Sequence, residues 1–123
     1  MRKRGLALEM EMPAEEYRAF IASANHPALG AYYDAGNNTA RGYDIVAGVR
    51  ALAPYLLGVH IKDRRKGGSS VLLGRGDTNF PGFFLALKDI GYQEPLILET
   101  PLGSDVLQTA QNHLAFVRRH LGA

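Results

Sequence analysis

Four residues of the kinds that bind metal ions or move protons each stand near the C-terminal end of a short apolar run. They are Glu9 in LALEMEM (6–12), Asp34 in LGAYYD (29–34), His60 in GVHIK (58–62) and Glu99 in PLILE (95–99). If these runs are strands, side chains alternate across them, so Leu6, Leu8, Met10 and Met12 share one face while Ala7, Glu9 and Glu11 share the other. The same parity groups Gly30 with Tyr32 and Asp34, Gly58 with His60 and Lys62, and Pro95 with Ile97 and Glu99. The apolar face must pack on helices, which leaves all four polar residues on the opposite face. Three carboxylates gathered in a low-dielectric place repel one another and resist ionisation unless a cation lies between them. A divalent metal resolves the conflict. Oxygen-rich ligation with a single imidazole suits Mn²⁺, Mg²⁺ or Co²⁺ better than a structural zinc site, with Zn²⁺ still admissible.

The elements that must position these residues are legible as an alternation. LALEM precedes PAEEYRAFIASAN, LGAYYD precedes YDIVAGVRALAPYL, GVHIK precedes FPGFFLALKDIG, and PLILE precedes SDVLQTAQNHLAFVRRHL. Four such βα units predict strands near 6–10, 29–34, 57–62 and 95–99, paired in parallel and covered by crossover helices, an α/β fold. Pro13 suits a first helical turn, Asn79 and Ser104 are candidate N-caps, and Gly91 is a candidate C-cap. Residues 63–78 form one long irregular piece whose glycines suggest a mobile ligand-binding loop. In parallel α/β folds ligands bind at the carboxyl ends of the strands, where the four polar residues fall.

Other residues invite smaller readings. Lys62 shares the parity of His60 and is suited to hold a substrate oxygen or to pair with a carboxylate. Arg64, Arg65 and Lys66 open the long loop and form either an anion clamp or an ordinary solvated charge run. Glu11 starts the turn into a helix and reads as solvated, and His26, His113 and His120 read as structural or solvent-facing. With 46% hydrophobic residues, no cysteine and a formal net charge of +2, the chain fits one globular, cytoplasmic domain over residues 1–123. No apolar run is long enough for a membrane span, and no basic patch calls for nucleic acid.

The residues YDAGN (33–37), VHIKD (59–63), LGRGDTNF (73–80) and LILET (96–100), in this order after LALE (6–9), resemble the C-terminal half of the xylose-isomerase-like barrels, in particular the sugar-phosphate isomerase/epimerase family. The resemblance implies that Glu9, Asp34, His60 and Glu99 bind one divalent metal and that Glu9 and Glu99 form an acid/base pair. It implies a sugar or sugar-phosphate substrate, isomerised or epimerised through an enediolate. An inosose-type dehydratase would share every ligand. Asn37 stands where some ketose epimerases carry a substrate-binding histidine, which shifts the expectation toward the broader family.

Barrels of this family have eight strands, and this chain supplies a (βα)4 half, with MRKRG resembling the end of a preceding helix. Four strands cannot close a barrel, and the outer two would be left as edges open to pairing. A homodimer closing one barrel by two-fold symmetry, or a separate complementing half, is therefore expected. A non-catalytic half-barrel module remains the alternative from a different class.

Overall fold

The computed structural model describes residues 5–122. The expected helix end at MRKR lies outside the described residues. The elements run β1 (Leu6–Glu9), α1 (Ala14–Ser23), β2 (Leu29–Asp34), α2 (Ala35–Ala40), α3 (Ile45–Leu52), β3 (Leu56–Ile61), β4 (Asp63–Arg64), β5 (Ser70–Val71), α4 (Phe80–Asp89), β6 (Leu96–Leu98) and α5 (Val106–Leu121). Strands β1, β2, β3 and β6 make one parallel sheet in that spatial order, and β4 with β5 forms a small antiparallel pair.

Parity sorts the two faces of the sheet. Ala31, Tyr33, Leu56, Val59 and Ile61 are buried beneath the helices together with Tyr17, Ile21, Val49, Leu52, Phe83 and Leu87. Each large side chain removed from water here contributes roughly 2–3 kcal/mol. The helices pack in series, α1 on α3, α3 on α4 and α4 on α5, along this one face. The other face carries Glu9, Asp34, His60 and Glu99. Among the described residues nothing pairs with the outer edge of β1 or of β6, where Leu6 is 65% exposed and Ile97 44% exposed.

Several expected boundaries shift for local reasons. The helix expected across 43–56 is the shorter α3, because the Asp44 carboxylate accepts from the amides of Val46 and Ala47 and sets its start. An additional turn of helix, α2, follows β2 directly, capped by Asp34. The cap of α5 is Asp105, which accepts from Gln108 N, and not Ser104. Asn79 caps α4 as expected, accepting from Gly82 N, and Gly91 follows that helix with φ of +70°. Pro13 sits one residue before α1, in the N-cap position.

The segment expected as a mobile ligand-binding loop carries internal structure of its own. Residues 63–78 are folded around the buried carboxylate of Asp63, which accepts from the amides of Gly74 (2.9 Å), Gly76 (2.9 Å) and Thr78 (3.2 Å). A second tie joins Lys66 N to Asp77 Oδ2 at 2.7 Å. A buried charge supplied with three backbone donors fixes a segment that glycine content alone would leave loose.

Candidate metal centre

Asp34 is fully buried at the end of β2 and divides its oxygens between two roles. Oδ1 accepts from Asn37 N at 2.7 Å and caps α2, which locks the carboxylate in place. Oδ2 faces the open side of the sheet, 3.4 Å from His60 Nδ1. The neighbouring Asn38, also buried, donates to the Asp34 carbonyl at 2.9 Å and braces the strand-to-helix turn.

His60 lies opposite Asp34 in the β2–β3 register. Its Nδ1 is 3.4 Å from Glu9 Oε2, 3.4 Å from Asp34 Oδ2 and 3.2 Å from Glu99 Oε2. Glu9 ends β1 and Glu99 follows β6, so the two glutamates approach from opposite edges of the sheet. Although β6 is shorter than the expected 95–99, Glu99 N still donates to Ile61 O at 3.1 Å and holds its residue in the ladder. The His60 ring rests against Tyr32, with centroids 4.6 Å apart. Tyr32 can lean across β3 because residue 58 is glycine, where any Cβ would collide with the tyrosine ring.

The donor set is suited to a cation. Glu9, Asp34 and His60 can place one ligand atom each within 4.8 Å of one another. Both Asp34 Oδ2 and His60 Nδ1 are buried without a hydrogen-bond partner among the described residues. Buried polar atoms are normally satisfied, and an orphaned carboxylate oxygen beside an orphaned imidazole nitrogen is what a divalent ion would complete. Glu99 joins this group from one side only, since its Oε1 accepts from Lys62 Nζ at 2.6 Å.

Lys62 realises the paired alternative foreseen for it. Its Nζ also lies 3.4 Å from Asp34 Oδ2, an ion pair without hydrogen-bond geometry, and 3.4 Å from Asn37 Oδ1. Burial works against the ammonium, but the Glu99 hydrogen bond and the Asp34 charge outweigh it and raise the Lys62 pKa. The Lys62 hydrogen bond in turn lowers the Glu99 pKa against the opposing effect of burial. Asn37 is thus within reach of the site, and Arg64 holds it there. Arg64 Nη1 donates to Asn37 Oδ1 at 2.9 Å, while its Nε and Nη2 donate to Gly68 O at 3.0 and 2.7 Å. Most of the Arg64 fork is therefore used within the protein. Arg65 and Lys66 are exposed on the turn of the β4–β5 pair, and Glu11 pairs with Arg41 at 3.4 Å on the surface.

Residues 6–120 match the family model of the xylose isomerase-like TIM barrel. The chain belongs to that family. Among curated relatives of this xylose isomerase-like chain, a ketose 3-epimerase from Arthrobacter globiformis is 30% identical over 105 residues, covering 85% of this chain and 35% of the relative. An L-ribulose-5-phosphate 3-epimerase from Salmonella paratyphi C is 33% identical over 76 residues, covering 61% and 27% respectively. The chain thus spans about a third of the length of these relatives. Among solved structures, a xylose isomerase domain protein from Planctomyces limnophilus superposes with a TM-score of 0.77 at 28% identity, over 96% of this chain and 48% of that one. An L-ribulose 3-epimerase superposes with a TM-score of 0.81 at 22% identity, over 96% and 47%, which bears on the fold alone. This member of the family is a (βα)4 half of a TIM barrel.

Two contributors escaped the reading of the sequence. Tyr32 shares the parity of Asp34, yet its position under His60 depends on a glycine one strand away. Asp63 stood out in the sequence only as the end of VHIKD, although amide donors at 74, 76 and 78, every second residue, trace the way the chain winds round its carboxylate.

Proposed function

We propose that this chain carries the metal site and the acid/base pair of a divalent-metal-dependent sugar or sugar-phosphate isomerase or epimerase. The observation that carries the reading is the convergence of Glu9, Asp34 and Glu99 oxygens on His60 Nδ1 at 3.2–3.4 Å, with Asp34 Oδ2 and His60 Nδ1 without a hydrogen bond among the described residues. Glu9, Asp34, His60 and Glu99 would hold the ion, Mn²⁺, Mg²⁺ or Co²⁺ by the hardness of the donors, or Zn²⁺. When bound, it supplies Lewis acidity to neighbouring oxygens of a ketose and makes the intervening C–H more acidic. Glu9 and Glu99 stand on opposite edges of the sheet, suited to take a proton from one face of that carbon and return one to the other. The Lys62 hydrogen bond lowers the Glu99 pKa and so favours its charged, metal-binding form. Lys62 and Asn37 lie where they can donate to a substrate oxygen, with Arg64 fixing Asn37. Arg65 and Lys66 are the candidates for an anionic substrate group.

The open edges support a second element of this reading. A second copy, or a separate half, completes the barrel by pairing with β1 and β6, where Leu6, Ile97 and Leu98 are exposed. Cytoplasmic location is part of the same reading; among the described residues no helix is long and apolar enough to cross a membrane.

The test is a Mn²⁺ titration of the chain and of a Glu9→Gln, Glu99→Gln double variant. The double variant is expected to lose measurable Mn²⁺ affinity, and unchanged binding would remove the proposed site. Product analysis on ketoses and ketose phosphates, with the chain alone and with a complementing half, then separates epimerase, isomerase and inosose-type dehydratase.

A further inference from the structure

Tyr17 lies on the inner face of α1, with no exposed surface, and its hydroxyl reaches the C-terminal end of β1. There it donates to Leu8 O at 2.6 Å, stands 3.1 Å from Tyr32 O and accepts from Met10 N at 3.2 Å. Leu8 and Met10 are the residues on either side of Glu9, and Tyr32 is the register partner of Glu9 on β2. One hydroxyl therefore joins the three backbone groups that surround the attachment point of Glu9.

This junction matters because of where Glu9 stands. β1 has four residues, pairs on one side only among the described residues, and ends at Glu9. The Glu9 side chain is 37% exposed, so packing does little to aim it. A strand end of this kind frays unless its polar groups find partners outside the ladder. Burial raises the Tyr17 pKa to about 12, so the hydroxyl keeps its proton to donate.

We propose that Tyr17 is a positioning residue whose hydroxyl fixes the backbone on both sides of Glu9 and so aims the Glu9 carboxylate at the metal site. This rests on the reading of Glu9 as a metal ligand. The competing role is that of a core staple with no bearing on the ligand. Tyr33 supplies an internal comparison, since it is buried in the same core with its ring 6.2 Å from that of Tyr17, and among the described residues its hydroxyl has no hydrogen-bond partner.

The experiment is a Mn²⁺ titration by calorimetry on the unaltered chain and on Tyr17→Phe, Tyr33→Phe and Glu9→Gln, in the cold, well below each melting transition. Amide hydrogen exchange at Met10 is followed alongside. Tyr17→Phe is expected to weaken Mn²⁺ binding roughly tenfold or more, the range for residues that orient a ligand, and to speed exchange at Met10. Tyr33→Phe should bind as the unaltered chain does. If Glu9→Gln loses affinity while Tyr17→Phe keeps it, the positioning role is overturned and the site stands. If Glu9→Gln itself binds unchanged, the site reading fails and takes this inference with it. Should Tyr17→Phe not fold, the unaltered chain decides: binding and Met10 protection are linked, so Mn²⁺ must slow exchange at Met10, and no slowing overturns the proposal.

Discussion

Asp34 shows how one side chain can be committed to structure and still be available for chemistry. Its Oδ1 caps α2 while Oδ2 faces His60 with no hydrogen bond among the described residues. Asparagine caps helices as well as aspartate does, so Asp34→Asn preserves the cap and removes a buried charge that has Glu9 and Glu99 nearby. The expected outcome is loss of Mn²⁺ affinity by about 100-fold or more, with the melting temperature of the metal-free protein changed little, since relief from Glu9 and Glu99 offsets the lost Lys62 ion pair. Calorimetry and thermal melting read the two effects separately. At this scale parity was informative, because a two-residue period places Glu9, Asp34, His60 and Glu99 on one face whatever the helices do. It put Lys62 on the same face but did not show that Glu99 is its 2.6 Å partner, and it was silent on Tyr17, whose three backbone partners lie on or beside two strands.

Elements are held by a few buried polar groups whose loss should be felt over whole segments. Asp63→Ala leaves the amides of Gly74, Gly76 and Thr78 without their acceptor, and destabilisation of about 3 kcal/mol is expected. Limited proteolysis should then cut within 72–78 faster than in the unaltered protein. His113 on α5 plays a comparable part. It is 5% exposed, its Nδ1 lies 2.8 Å from Thr100 Oγ1, and its Nε2 accepts weakly from Leu73 N at 3.5 Å. Burial lowers its pKa below the ordinary histidine value. The unfolded chain therefore takes up the proton first, and stability that is complete above about pH 6.5 declines as pH falls below it. Denaturant melts from pH 8 to 5 should show this decline, and His113→Gln should flatten it. The alternation of strands and helices was readable from periodicity, whereas the ordering of 63–78 was not, since it depends on one carboxylate meeting amides more than ten residues away.

For the whole molecule the open edges set the expectation. A pair of halves would show twice 13.4 kDa by light scattering. Ile97→Lys at the β6 edge should return that species to the single-chain mass while leaving the helical signal unchanged, because Ile97 takes no part in the buried core. A single-chain mass for the unaltered protein would direct attention to a complementing half. The halving of the barrel was visible in the sequence, since four βα units cannot close, but the identity of what closes it is not encoded within one half. The placement of the candidate ligands carries a consequence for evolvability. All four are carried at the ends of the strands of one half, so on the proposed reading a single half brings the whole candidate ligand set. A recombined gene could then join this half to a different partner half and carry the candidate ligand set over intact.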